Sequence, residues 1–154
     1  MTFPRPLGKT ATVACLLAIL GGSACSEASG DVPPSDLPEN LDLTGATAIE
    51  RVSIGGWGST ERAVPESLDT EVGAVVVFQV ADWRLHTVRF LTAEMDAEQV
   101  AYLEGLGQVE SPPLVTRGSR FLVTFEGAPP GAYPYSLEGF GNPARGVIRV
   151  GPGS

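Results

Sequence analysis

The chain predicts an all-β sandwich with one short helix, carried behind an export segment and a tether. Three observations point there. Nineteen glycines and thirteen prolines in 154 residues supply turn residues at a density that suits short strands better than a helical bundle. Beyond residue 41, apolar and β-branched runs recur between those turn signals. The apolar fraction of 43% is enough for a core, whereas charged residues make up only 18%.

The first element is the export segment, residues 1–24. Arg5 and Lys9 form a positive region, residues 11–20 an apolar run, and Gly21-Gly22-Ser23-Ala24 a small-residue stretch before Cys25. The apolar run is too short for a stable span of a bilayer, so it is read as a signal peptide. Gly22-Ser23-Ala24-Cys25 resembles the lipobox of bacterial lipoproteins, in which the cysteine becomes the lipidated first residue. Gly22 departs from the usual Leu, Val or Ile, and simple secretion is the alternative. Residues 25–40 hold Cys25 and a Ser/Pro/Asp/Glu tether, and residues 41–154 form the domain. The chain has two cysteines, Cys15 in the signal and Cys25 at the cleavage point. The domain therefore has no disulfide, no thiol nucleophile and no thiolate ligand.

Within the domain, residues 48–54 alternate as a strand and end at Gly55-Gly56-Trp57-Gly58, read as a bulge or sharp turn. Residues 64–73 read as an edge strand feeding a turn. The continuous run 74–80, AVVVFQV, reads as a strand buried on both faces. Residues 85–92 alternate, which turns His86 inward with Val88 and Phe90. Residues 96–105 are the one helix, capped by Asp96 and stopped by Gly105 or Gly107, with Ala97, Val100 and Leu103 as its apolar stripe. Strands at 119–125, 133–137 and 146–150 complete the count.

In this order the residues resemble the cupredoxin (plastocyanin- and azurin-like) family across the whole domain. His86-Thr87-Val88-Arg89-Phe90 matches the motif that holds that family's first copper-binding histidine. Gly131-Ala132-Tyr133-Pro134-Tyr135 is similar to the approach to its metal loop, and Arg145 to Val150 to its closing strand. The resemblance implies an all-β, Greek-key cupredoxin-like β-sandwich. It also implies that the copper ligands are degenerate. Leu137 stands where the cysteine belongs, Phe140 where the second histidine belongs, and Ala144 or its neighbour where the methionine belongs. A blue copper centre needs two imidazoles and a thiolate. His86 is the only histidine, and Met95 the only methionine after Met1. Leu137 and Phe140 are expected to fill the former metal pocket with apolar side chains.

The sequence thus predicts no cofactor and a non-redox binding or interaction module. The alternative is copper binding or electron transfer through a degenerate site around His86, with Met95 as the candidate second ligand. A serine triad would have to use His86 with Asp82 as its orienter, but no nucleophile elbow is present and Asp82 reads as a turn residue, so no enzyme is expected. Glu94, Asp96 and Glu98 read as charges that complement the helix N-terminus. Trp57 and Trp83 flank turns and read as sandwich core or rim. The formal net charge is −8, and the composition shows no basic patch, which argues against nucleic acid and against docking on anionic lipid. The expected partners are a membrane, reached through the anchor at Cys25, and an envelope protein. The expected location is the exported side of the cell envelope, with secretion as the alternative.

Overall fold

The computed structural model describes residues 45–153. The residues read as signal peptide and tether, Cys15 and Cys25 among them, lie outside the described residues. The strands are β1 Ile49–Trp57, β2 Thr60–Val64, β3 Ser67–Glu71, β4 Val75–Val80, β5 His86–Phe90, β6 Arg120–Thr124, β7 Gly131–Gly139 and β8 Ala144–Gly151, with helix α1 at Ala97–Gly105.

They form two four-stranded sheets, ordered β2-β1-β4-β6 and β3-β8-β7-β5. The chain passes back and forth between the sheets, and the pairs β1–β4 and β3–β8 are parallel in an otherwise antiparallel arrangement. This is an all-β sandwich of two sheets with one short α-helix, the architecture that the sequence predicts.

Alternation explains the core. Val52 and Ile54 of β1, Val76, Phe78 and Val80 of β4, and Phe121 and Val123 of β6 face inward from the first sheet. Val88 and Phe90 of β5, Tyr133, Tyr135 and Leu137 of β7, and Ile148 and Val150 of β8 meet them from the second. Each fully buried large apolar side chain contributes about 1.5–3 kcal/mol. The rings pack edge to face: Phe78 and Tyr135 lie 5.0 Å apart at 80°, Phe125 and Tyr133 5.1 Å apart at 74°. The run 74–80 is buried on both faces as expected, because Val75 and Val77 pack with Ile49 and Leu122 on the outer side of the first sheet.

Two expectations need correction. The first strand does not end at Ile54. It runs through Gly55 and Gly56 to Trp57, because both glycines pair with β2, and the turn falls at Gly58, whose φ is +61°. Residues 64–73 hold the expected edge strand feeding a turn, since β3 lies at the edge of the second sheet and runs into a turn at Val72-Gly73, whereas the strand before it, β2, is an element the sequence reading lacked and belongs to the other sheet. The helix buries Gln99 and Leu103, while Val100 is half-buried and Ala97 exposed. Gln99 takes the inner face because it bonds in both directions. Its Oε1 accepts from the Asp96 N–H at 3.0 Å, and its Nε2 donates to the Ala132 carbonyl at 3.3 Å.

Candidate functional site: a buried carboxylate–imidazole–carboxylate bridge

His86 opens β5, and alternation turns its ring inward with Val88 and Phe90, as expected. The side chain is completely buried. Backbone bonds to Leu114 in both directions hold its position, at 3.0 and 2.9 Å. A buried imidazole requires partners for both ring nitrogens, and both are carboxylates.

Nε2 lies 2.7 Å from Asp82 Oδ1. Asp82 sits in the bend between β4 and β5, where its Oδ1 also accepts from the Arg84 N–H at 2.9 Å and its Oδ2 from the Gly56 N–H at 2.7 Å. The two-residue reach to Arg84 is the usual local habit of aspartate in a turn. A Cβ at Gly56 would stand 2.3 Å from Arg84 Nη1, so a larger residue there would have to displace the end of that side chain. Burial opposes the Asp82 charge. The bonds from His86, Arg84 and Gly56, with the charge of the imidazole, outweigh it and lower the carboxyl from 3.8 to about 2.

On the other side, Nδ1 lies 2.8 Å from Glu61 Oε2. This close contact is not an aligned hydrogen bond, and neither Glu61 Oε2 nor His86 Nδ1 has a hydrogen-bond partner among the described residues. Glu61 is 2% exposed, on the inward face of β2 beside Ala63. Its Oε1 accepts from the Gly141 N–H at 2.8 Å. A Cβ at Gly139 would lie 2.6 Å from that same oxygen, so the loop between β7 and β8 passes Glu61 only because glycine stands there. Glu61 belongs to one sheet and His86 to the other, so the bridge closes this end of the sandwich. An ionised carboxylate only accepts, so the bond to Asp82 needs the hydrogen on Nε2.

Leu137 is fully buried in the main core, paired with Val88 in the ladder. Ala144 opens β8, half-buried opposite Leu137. Phe140 does not fill the former metal pocket. It is 82% exposed, because the Gly141 bond to Glu61 and the Asn142 backbone bonds to Ser59 and Glu61 fix the loop with the ring turned outward. The polar side chain of Glu61, and not an apolar ring, meets His86. Met95 follows the opposite end of β5 and packs half-buried against the main core. Both ring nitrogens of His86 face carboxylates, and no contact brings the thioether to either. Trp57 and Trp83 are exposed at 78% and 75%, so they are rim and not core. Glu94 pairs with Arg145, and Asp96 precedes α1.

Sequence reasoning missed Glu61. Its signal was the alternation of β2, which places a glutamate on the same face as Ala63. Asp82, read in the sequence as a turn residue and not as a catalytic orienter, does lie in the bend before β5, where it also closes the bridge.

Copper of the cupredoxin type does not fit these residues. Both nitrogens of the single imidazole are held by carboxylates, no cysteine lies in the domain, and Leu137 offers no donor. Among the described residues no group of three or more His, Cys, Asp or Glu side chains is arranged to hold a metal ion. Glu61 and Asp82 lie on opposite sides of the ring and do not converge on a point.

No family model matches the chain, and no curated protein matches it. Solved structures similar to it include a purple cupredoxin from Nitrosopumilus maritimus, at 22% identity, covering 66% of this chain and 98% of that one with a TM-score of 0.42. A plastocyanin from Dryopteris crassirhizoma is similar at 16% identity over 66% of this chain and 99% of its own, with a TM-score of 0.47. A reduced amicyanin mutant is similar at 22% identity over 77% and 95%, with a TM-score of 0.45.

Proposed function

We propose that this chain is an exported protein, anchored in the cell envelope through Cys25, whose domain is a non-redox binding or interaction module. The observation that carries the reading is the closed bridge. The single histidine gives one nitrogen to Glu61 and the other to Asp82, at 2.8 and 2.7 Å, so no imidazole nitrogen is free for a metal or as a catalytic base. An ion pair that spans the two sheets does structural work where the resemblance would place a cofactor. Exposed Trp57, Trp83 and Phe140 at the neighbouring turns support a surface built for contact. No helix among the described residues is long and apolar enough to cross a membrane, which is consistent with attachment through an N-terminal lipid.

A copper titration of the full chain, followed by visible absorbance and calorimetry, tests this reading. No saturable uptake is expected, and His86→Ala is expected to change stability alone. Saturable uptake that disappears in His86→Ala would replace the interaction module with a copper-handling role. An intense blue band would show that a thiolate reaches the site.

A further inference from the structure

The acidic composition conceals a basic face. On the outer side of the first sheet, opposite the core, the odd-numbered positions of β1 and β4 and the even-numbered positions of β2 and β6 come together through the registers Ser53↔Val64, Ser53↔Gln79 and Gln79↔Arg120. Those positions carry Arg51, Arg62 and Arg120 and no carboxylate. Arg117, in the loop before β6, reaches the same face, where it lines a cleft with Arg51, Ser53 and Gln79. A second cleft, lined by Trp57, Arg62 and Val64, shares Ser53 and Ala81 with the first, so the two form one trough across the strands.

The contrast with the second sheet is sharp. There Arg89 pairs with Glu110 and Glu138, Arg145 with Glu94, and Arg149 with Asp69. Arg51 has a partner, but the side chains of Arg62, Arg117 and Arg120 make no hydrogen bond or ion pair among the described residues, and the Nε of Arg120 is buried without a partner. A guanidinium without an acceptor in the protein favours a carboxylate that docks from outside.

We infer that this trough binds an acidic polypeptide segment of a partner protein, one with apolar side chains between its carboxylates. The inference rests on the reading of the domain as an interaction module. The arginines supply charge complementarity. Trp57, 78% exposed at the end of the trough, and Val64, 49% exposed beside Arg62, supply apolar walls. A long polyanion or an anionic bilayer would meet the acidic remainder of the molecule as well, and like charge would repel it. A short segment meets only this face.

The test uses the full chain and a fluorescein-labelled peptide of Glu-Leu-Glu-Gly repeats, read by fluorescence anisotropy. Saturable binding that weakens with added salt is expected. The combined variant R62E/R117E/R120E should weaken it at least about tenfold, whereas R89E/R145E on the other sheet should leave it unchanged. Arg117 lies in an exposed loop, so Arg117→Glu alone, expected to weaken binding a few-fold, serves if the combined variant fails to fold. Absence of binding, equal binding by the Arg117→Glu variant, or tighter binding of heparin or of phosphatidylglycerol vesicles than of the peptide would overturn the inference. Copper titration of the same preparations reports on the interaction-module reading separately, because it depends on His86 and not on this face.

Discussion

Replacing Glu61 by alanine removes one side of the bridge. The change leaves the Nδ1 side of a completely buried imidazole without a counter-charge and deprives the Gly141 N–H of its acceptor. Removing one partner of a buried ion pair costs about 3–5 kcal/mol, most of it the penalty of the partner left behind. For a domain of this size a loss of 1 kcal/mol lowers Tm by roughly 4 °C, so Glu61→Ala should melt roughly 12–20 °C below the wild type at pH 7. Glu61→Gln separates charge from hydrogen bonding. Its amide oxygen can still accept from Gly141, and its N–H can donate to a neutral ring whose Nε2–H donates to Asp82. That variant should lose only about 1–2 kcal/mol. The assay is thermal and urea unfolding of wild type and both variants, with copper absent. A Glu61→Ala loss below about 1 kcal/mol, or equal losses for the two variants, would refute the claim that the bridge holds this end of the sandwich.

Asp82 gives a pH signature. Its folded carboxyl, at about 2, lies below its unfolded value of 3.8. Its contribution, roughly 2 kcal/mol, is therefore present above pH 4 and is lost as pH falls toward 2. Urea midpoints at pH 5 and pH 2.5 should converge between wild type and Asp82→Asn at the lower pH; an unchanged gap would contradict this. Burial, with the nearby charge of Glu66, pushes the Tyr135 phenol up, and its hydroxyl has no partner among the described residues. Tyr135→Phe should therefore leave stability unchanged or raise it by about 1 kcal/mol, and a clear loss in a thermal melt would reveal a missed acceptor. Gly146→Ala places a Cβ 2.3 Å from the same ring and 2.8 Å from the Glu66 carbonyl. It should cost at least about 1–3 kcal/mol by overcrowding, and it should remain destabilising in a Tyr135→Phe background, since the Cζ contact persists.

By itself the sequence determined the architecture. Alternation in 85–92 and 119–125 is a local property of an extended chain, and it settled which side chains enter the core, His86 among them. The run 74–80 marked the strand buried on both faces, and Asp96 with the glycines after it bounded the helix. The sequence also determined which donors the domain lacks, since composition alone excludes a thiolate and a second imidazole. Tertiary structure decided what takes their place. Glu61 and His86 lie far apart in the chain and on different sheets, so only the closing of the sandwich brings a carboxylate to Nδ1. Phe140 points outward because the loop beside it is tied to Glu61, a constraint that no local pattern records. The basic face has the same origin. Arg51, Arg62 and Arg120 are scattered through an acidic sequence, and strand register makes them neighbours, with Arg117 brought beside them by the loop before β6. Periodicity shows which way a side chain faces, but pairing across strands decides what it faces.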